Sequence, residues 1–443
     1  MAFQSDDRDG GPALSAACVC PSHDASRNAD NASMKISLQR TIVSLTGALD
    51  FVGIDEVHHG KRVALLAYAI AVELGWTSSR CLDMLYAGML HDCGVARTEE
   101  HRHLTETLEW DGAQAHCIRG EAYLEACPPL ARFAVIVRWH HTRWEDLLTQ
   151  GLAQDASLES NLIFLADRLD ILLAEYITAD GLRNEILLEY PKLVDRLTAM
   201  SGSLFCPDLI AALQRVAVRE GFWLQCDPPY VADVVEDCLQ CEAPIEIDSK
   251  DTLAIARLFA RTVDSKSVYT LEHSTRVAQL TRYLAQMRGV SGVELDMLEV
   301  AALLHDIGKL RVPEEIIDKP GAITAQERAI IQRHSYDTGR ILKRVFPGQP
   351  IAEWASMHHE DLIGTGYPSH LKAREIPWQA RLISVADIFQ AMSQNRPYRG
   401  RLGSDEVMGH LDTLRTLGRV DAGMVELVRT HLDTCYQLAV NGD

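Results

Sequence analysis

The stretch of sequence that decides the fold lies between residues 305 and 368. It reads His305-Asp306-Ile307-Gly308-Lys309, then His334, then His358-His359-Glu360, and finally Gly364-Thr365-Gly366-Tyr367-Pro368. Four histidines and an aspartate in so short a span indicate a metal site, because neutral imidazole and carboxylate are common ligands of transition metals. Adding His273 upstream and Asp387 downstream gives seven such groups, which is enough for two ions that share a bridging carboxylate. Buried histidines that only bond the backbone are the alternative, and the His-Asp and His-His doublets argue against it.

Hydrophobic spacing predicts helices on both sides of this stretch. Val277, Leu280 and Leu284 stand at i, i+3 and i+7, the spacing of one buried helix face, and the same spacing starts again at Val63. Residues 324–327, Thr-Ala-Gln-Glu, fit a capping box and predict the start of the helix that carries the third histidine. Alternating β-branched runs are scarce, so we expect an all-α fold built of helical bundles.

The first half of the chain repeats the pattern of the second half. Its counterparts of the seven groups are His59, His91, Asp92, His116, His140, His141 and Asp167, which mirror His273, His305, Asp306, His334, His358, His359 and Asp387 in that order. The first histidine precedes the His-Asp doublet by 32 residues in both copies, and the third precedes the His-His doublet by 24 in both. The other separations differ slightly, as expected of loops that tolerate insertions. We therefore predict two tandem modules, the first with a second metal site of its own.

The first copy lacks the residues that surround the metal groups of the second copy. Val95 stands where the second copy has Lys309, and nothing after the first His-His doublet resembles residues 366–368. No counterpart of residues 396–398, Arg-Pro-Tyr, follows Asp167. We predict that the first module binds metal, is hydrolytically silent and has a structural or regulatory role. An empty, vestigial site is the alternative.

Composition divides the chain into four parts and limits its partners. Residues 1–33 are polar and aperiodic and predict a disordered tail, 34–223 and 250–437 predict the two modules, and 224–249 predict a linker. The net charge of −19 argues against binding to a nucleic acid polymer or to an anionic membrane. Eleven cysteines at irregular spacing indicate a reduced, cytoplasmic protein, and no apolar run reaches membrane-spanning length.

The ordered motifs between residues 270 and 398 resemble those of the HD-GYP family of metal-dependent cyclic di-GMP phosphodiesterases, all-helical members of the HD phosphohydrolase superfamily. The motifs that carry the resemblance are His273-Ser274-Thr275-Arg276-Val277, His305-Asp306-Ile307-Gly308-Lys309, His334 with Gly339, His358-His359-Glu360, Gly366-Tyr367-Pro368, Val385-Ala386-Asp387 and Arg396-Pro397-Tyr398. The resemblance implies two tandem HD-type helical bundles joined by the linker. One position departs from the family pattern, because Ile363 stands where the family usually has an aspartate before Gly364.

The same resemblance implies a centre of two divalent ions in the second module. One ion would be held by His273, His305, Asp306 and Asp387, and the other by His334, His358 and His359, with Asp306 as the bridge. Members with three ions carry a glutamate at the position of Tyr269, so two ions are expected here. The ligand set favours iron or manganese over zinc alone.

The resemblance also implies which residues act on the substrate. Asp306 and Lys309 are the expected catalytic residues, since Lys309 follows three residues later and shares a helix face with Asp306. The residues implied to contact the substrate are Gly366, Tyr367, Pro368, Arg396, Tyr398 and Arg399. The arginines would clamp phosphate or guanine, and the tyrosines would offer stacking surfaces.

The expected reaction is hydrolysis of cyclic di-GMP to pGpG, with continuation to GMP left open. Two alternatives stand beside it. The chain would instead hydrolyse another cyclic dinucleotide such as 3′,3′-cGAMP, or it would be a non-catalytic cyclic-dinucleotide sensor. The sequence leaves open whether the chain forms a homodimer or binds a signalling-protein partner.

Overall fold

The computed structural model describes residues 34–49, 58–95, 97–106, 108–178, 180–267, 272–395 and 400–440. The predicted disordered tail lies outside these residues, as do Tyr269 and the three expected substrate residues Arg396, Tyr398 and Arg399. Helices dominate the described chain, which confirms the predicted all-α class.

Twelve helices lie in the described residues before position 245. They are α1 Leu38–Leu49, α2 His59–Glu73, α3 Ser78–Leu90, α4 Thr98–Glu106, α5 Gln114–Glu125, α6 Ala134–Trp139, α7 Trp144–Leu147, α8 Gln154–Ala174, α9 Ile186–Thr198, α10 Pro207–Val216, α11 Glu220–Leu224 and α12 Val231–Leu239. Short 3₁₀ helices span Asp111–Ala113 and Ala131–Phe133.

Ten further helices form the second half of the described chain. They are α13 Ser249–Asp264, α14 His273–Met287, α15 Gly292–Leu303, α16 Glu314–Ile317, α17 Ala325–Val345, α18 Ile351–Ser356, α19 Trp378–Met392, α20 Ser404–Thr416, α21 Ala422–Thr430 and α22 Leu432–Val440, with a 3₁₀ helix over Ile307–Arg311. Strands are minor: β1 Ile36–Ser37 pairs antiparallel with β4 Glu246–Ile247, and β2 Ile177–Thr178 pairs antiparallel with β3 Gly181–Leu182.

The predicted capping box starts helix α17. The Thr324 hydroxyl accepts a hydrogen bond from the Glu327 backbone N–H at 3.2 Å, and the Glu327 carboxylate accepts one from the Thr324 N–H at 2.7 Å. Two of the N–H groups that a helix end leaves without partners are thereby satisfied. The start of α17 is fixed, and with it the position of His334 further along the same helix.

Both modules belong to one compact unit that begins at Met34. The leading helix of each module packs on the other module: α1 contacts α17, and α13 contacts α5. The hydroxyl of Thr262 on α13 donates to the carbonyl of Cys93 at 3.0 Å, and the N–H of Thr98 donates to Glu314 at 2.9 Å. The contacts between the modules thus reach the turn that carries the first His-Asp doublet.

The predicted linker also contains ordered structure. Helix α12 packs against α2 of the first module, with Val231 and Val235 buried. The segment that follows contributes β4, whose partner β1 precedes α1. Residues 231–247 therefore contribute to the packing of the first module.

Candidate metal centre and its internal copy

Five helices deliver the seven predicted groups of the second module to one point. His273 is the first residue of α14, His305 and Asp306 directly follow α15, His334 lies within α17, His358 and His359 follow α18, and Asp387 lies within α19. Six of the seven residues are at most 8% exposed, and His359 is partly buried. The structure therefore brings together all seven residues that the sequence proposed as ligands.

Asp306 lies between two groups of imidazoles. Its Oδ2 is 3.5 Å from His273 Nε2 and 3.3 Å from His305 Nε2. Its Oδ1 is 3.4 Å from His334 Nε2 and 3.7 Å from His358 Nε2. One carboxylate oxygen thus faces each group, which is the arrangement that a bridging ligand requires.

The two remaining predicted ligands join one group each. Asp387 Oδ1 is 3.3 Å from His273 Nε2, so this carboxylate completes the first group. The donor atoms of His334, His358 and His359 lie within 4.8 Å of one another and form the second.

Hydrogen bonds orient four of these imidazoles. Their Nδ1 atoms are held by acceptors outside the centre: His305 by the carbonyl of Ala302 at 2.7 Å, His334 by that of Ile331 at 2.5 Å, His358 by that of Ala355 at 2.7 Å, and His273 by the side-chain oxygen of Gln390 at 2.6 Å. An Nδ1 that donates its proton outward leaves the Nε2 lone pair available for a metal.

The donor atoms at the centre fit a divalent cation. His273 Nε2, His305 Nε2 and Asp306 Oδ1 are buried and have no hydrogen-bond partner. Leaving buried polar atoms unsatisfied costs about 1–3 kcal/mol each, and a bound cation would satisfy all three. Burial opposes ionisation of Asp306, but the adjacent His305 and the Lys309 ammonium hold the pKa of that carboxyl well below its usual range. The carboxylate is therefore in the state that a metal ligand needs.

Lys309 reaches the centre as the sequence predicted. Its ammonium donates a hydrogen bond to Asp306 Oδ2, and its side chain is 27% exposed. The lysine therefore lies between the buried carboxylate and solvent, where it can contact an anionic ligand.

A cavity of about 280 Å³ opens beside the second imidazole group. Gly366 and Tyr367 line it, and the Tyr367 ring centroid is 4.8 Å from that of His359. A Cβ on Gly366 would lie 2.5 Å from backbone atoms of residues 359–361, so only glycine fits this close approach. Pro368 follows in the same loop. Gly366 and Tyr367 thus form one side of the cavity, which His358 and His359 line as well.

Several polar residues that sequence reasoning missed line this cavity, among them Arg328, Gln332 and Arg419. The first two stand at i and i+4 on α17, the helix that carries His334, so they share one face of that helix. The i, i+4 spacing of Arg328 and Gln332 is therefore a sequence signal that could have identified them. Arg419 lies between α20 and α21, and no local pattern points to it.

The departure at Ile363 leaves the loop with other hydrogen bonds. Asp361 accepts from the Thr365 N–H at 2.7 Å and from Arg419 Nε at 3.0 Å. The Ile363 side chain is 48% exposed. Asp361 therefore supplies a carboxylate to the loop two residues earlier than the family pattern has it.

We expect Ile363→Asp to change the KM for a cyclic dinucleotide several-fold and to leave the metal content unchanged. The physical reason is that a new carboxylate would compete with Asp361 for Arg419 without reaching the seven donor groups. Elemental analysis and steady-state kinetics on the same preparation check this. A large loss of metal would contradict the prediction.

The first module repeats the arrangement around Asp92. Its Oδ2 is 3.8 Å from His59 Nε2 and 3.3 Å from His91 Nε2, while its Oδ1 is 3.5 Å from His116 Nε2 and 4.0 Å from His140 Nε2. The donor atoms of His141 and Asp167 complete the same two groups. All seven residues of the predicted copy therefore come together as well.

The side of the copy that corresponds to the substrate cavity is filled. Phe164 and Arg168 occupy the helix positions that Ser384 and Ile388 hold in the second module, where those two residues line the cavity. The Phe164 ring is 5.2 Å from His141, and Phe164 and Arg168 are both 2% exposed. A large substrate has no room at this position.

Comparison with known proteins agrees with the geometry. Family models described as HD domain match residues 57–172 and 257–423. The chain is 36% identical over 419 residues to 3′3′-cGAMP-specific phosphodiesterase 1 of Vibrio cholerae, an alignment that covers 93% of this chain and 95% of that protein. The chain belongs to the HD-GYP family. The family resemblance and the tandem organisation predicted from the repeat are both confirmed.

Two further relatives show how far this similarity extends. A cyclic di-GMP phosphodiesterase of Thermotoga maritima is 39% identical over 153 residues, which are 34% of this chain and 41% of that protein. The crystal structure of a cyclic GMP-AMP-specific phosphodiesterase of V. cholerae, V-cGAP3, superposes with a TM-score of 0.59 at 24% identity and covers 90% of this chain and 98% of that one. The fold is therefore shared over both modules. No helix in the described ranges has the length and apolar character needed to span a membrane.

Proposed function

We propose that the second module is a metal-dependent phosphodiesterase that hydrolyses a cyclic dinucleotide to its linear form. The observation that carries this proposal is the placement of Asp306, whose two oxygens face two imidazole groups at the edge of a cavity lined by arginines. A binuclear centre next to cationic groups suits a phosphodiester, which is anionic and resists attack by neutral water.

The proposed centre holds two ions, iron or manganese. The first ion would take His273, His305, Asp306 and Asp387, and the second His334, His358, His359 and the other oxygen of Asp306. When bound, two such ions lower the pKa of a water molecule and neutralise charge on the phosphate oxygens.

The surrounding side chains would bind and orient the substrate. Lys309 is placed to donate a proton or hydrogen bond to a phosphate or leaving-group oxygen, since its ammonium lies beside Asp306 and remains partly exposed. Arg328 lines the cavity, as does Arg419, which is paired with Asp361, and arginine can form paired hydrogen bonds with phosphate. The Tyr367 ring packs on His359 and offers a flat surface on which a base can stack.

The preferred substrate that we propose is 3′3′-cGAMP, with cyclic di-GMP second. The relative that matches both modules over nearly its whole length is specific for 3′3′-cGAMP, whereas the cyclic di-GMP enzyme of T. maritima matches about a third of the chain. The motifs of the second module alone favoured cyclic di-GMP as the substrate. We place 3′3′-cGAMP first because the alignment with the 3′3′-cGAMP-specific relative also includes the first module.

Product analysis with both dinucleotides tests the reaction and the preference together. We expect metal-loaded protein to linearise 3′3′-cGAMP with the higher kcat/KM and chelated protein to linearise neither. Binding of both without turnover at any metal loading would show that the chain is a sensor and would overturn the proposal.

Lys309→Ala should lower kcat about a hundredfold and leave the metal content unchanged, because general acid catalysis typically contributes 10²–10⁴-fold. Single-turnover kinetics and elemental analysis of the same preparation check this. Lys309→Arg, which keeps the charge, serves as the matched variant and should retain substrate affinity. Loss of metal in Lys309→Ala would show that the lysine supports the centre and does not act on the substrate.

The first module is proposed to be hydrolytically silent. Val95 is buried where the second module has Lys309, and Phe164 and Arg168 fill the place of the cavity. Its contacts with the second module through Thr262 and Glu314 support a structural or regulatory role.

A further inference from the structure

We propose that Lys266 is a positioning residue for Lys309, and that the first module holds this support in place through Glu314. This role rests on the proposed function, because Lys309 is the residue proposed to act on the substrate. It also gives the first module a definite part in that reaction. The contacts that carry the proposal are hydrogen bonds and one buried ion pair beside the C-terminal end of α13.

Lys266 binds the turn that carries Lys309. Leu310 directly follows Lys309 in the 3₁₀ helix, and its carbonyl accepts a hydrogen bond from the ammonium of the buried lysine at 2.8 Å. In a 3₁₀ helix this carbonyl would bond the N–H three residues on, but that residue is Pro313, which has no N–H. Lys266 therefore supplies a hydrogen bond that the backbone cannot make, and it fixes the peptide next to Lys309.

The ammonium of Lys266 needs a counter-ion to stay in this position. The residue is 2% exposed, and its Nζ lies 3.3 Å from Glu314 Oε1. Burial lowers the pKa of Lys266, and the Glu314 carboxylate acts against that shift. A buried charge is costly unless it is paired and hydrogen-bonded. Glu314 therefore stabilises the charged lysine behind the turn.

The same carboxylate oxygen bonds the first module. Glu314 Oε1 accepts a hydrogen bond from the backbone N–H of Thr98 at 2.9 Å, and Thr98 is the first residue of α4. An N–H at this place has no partner within its own helix. Four residues before Lys266, the Thr262 hydroxyl donates to the carbonyl of Cys93, which directly follows the first His-Asp doublet. The chain around the end of α13 thus contacts the His-Asp turns of both modules.

The first copy lacks both lysines. Seven residues before the first histidine of the pattern stands Lys266 in the second copy and Val52 in the first. An aspartate stands nine residues before that histidine in both copies, so the two segments keep the same spacing. Val95 stands where the second copy has Lys309. The loss of the two lysines together is what we expect if Lys266 serves Lys309.

The positioning role is tested with Lys266→Met in two forms of the full chain. In the otherwise unsubstituted chain it should lower kcat about 10²-fold with KM and metal content unchanged, since a reacting group misplaced by about 1 Å can cost that much. In a chain that already carries Lys309→Ala it should lower kcat no further, because the two residues act as one unit. An equal loss in both forms, or no loss in either, would overturn the positioning role.

The link to the first module is tested at Thr98, where no residue of the second module changes. Proline is tolerated at the first position of a helix and has no N–H, so Thr98→Pro removes the donor to Glu314. Thr98→Ala loses the hydroxyl and keeps the N–H, which makes it the matched control. We expect Thr98→Pro to speed hydrogen exchange in the peptide spanning residues 307–312 and to lower kcat, each several-fold, and Thr98→Ala to do neither. Unchanged exchange in folded Thr98→Pro would overturn the link between the modules.

Hydrogen exchange requires no turnover, so it separates this link from the proposed reaction. A metal-loaded chain that hydrolyses no cyclic dinucleotide would overturn the proposed function, and with it the role of Lys266 in the reaction. The exchange of residues 307–312 in the two Thr98 variants would still decide whether the first module holds the turn. The same comparison covers the case in which Lys266→Met does not fold.

Discussion

Replacing Asp306 with alanine is expected to abolish the proposed hydrolysis of cyclic dinucleotides and to remove both ions proposed for the second module. Asp306 offers one oxygen to each imidazole group, and its loss leaves both groups without their shared carboxylate. We expect kcat to fall by at least about 10³-fold, because groups that act as one unit fail together. Elemental analysis should show two equivalents of metal fewer per chain than in the unsubstituted protein.

The same variant tests whether the first module lacks hydrolytic activity. Any turnover that survives in folded Asp306→Ala would have to come from the first module and would contradict its proposed role. Asp208, an exposed residue in the first turn of α10, provides the control. Asp208→Ala should keep normal turnover and metal content, which separates the effect of the site from that of losing one acidic residue.

The tandem fold could be read from the sequence because metal ligands in helices are tied to fixed positions. A histidine at the start of one helix and a His-Asp doublet at the end of the next are separated by a set number of helical residues, so equal spacing of 32 residues indicates equal structure. The capping box at Thr324 was predicted correctly for a similar reason. It is a local motif whose hydrogen bonds join two residues only three positions apart in the sequence.

The cavity could not be read in the same way. Arg419 lines the cavity because the segment between α20 and α21 lies against the loop after α18, where the Leu362 N–H donates to the Arg419 carbonyl at 3.0 Å. Spacing along the chain does not encode that contact. Tertiary packing decides which exposed cations of a chain converge on a site.

The loss of open space beside the first site has a signal in the sequence. Residues 164–168 read Phe-Leu-Ala-Asp-Arg, whereas residues 384–388 read Ser-Val-Ala-Asp-Ile. The two copies share the Ala-Asp pair and differ at the positions that flank it. Those positions carry the difference, because residues one turn before and one residue after the ligand face the same side of the site.

Gly308→Ala is expected to lower turnover at least about a hundredfold and to release an ion from the His334 group. A Cβ at this position would lie 2.1 Å from the carbonyl oxygen of His334, a distance that no packing tolerates, so α17 must move away from the His-Asp turn. The Thr338 hydroxyl, which accepts from the Gly308 N–H and donates to the His305 carbonyl, each at 3.1 Å, would be pulled from the same turn. The 3.4 Å approach of His334 to Asp306 would then lengthen.

The internal repeat supplies the matched control for this substitution. Gly94→Ala places a Cβ 2.1 Å from the carbonyl oxygen of His116, the equivalent clash in the first module. Both variants should lose similar stability, about 1–3 kcal/mol for an overpacked core position. Only Gly308→Ala should lose turnover, since the first module is proposed to be hydrolytically silent. Equal loss of turnover in the two variants would mean that the clash acts through general instability, and full turnover in Gly308→Ala would show that the reaction does not need His334 held against the His-Asp turn.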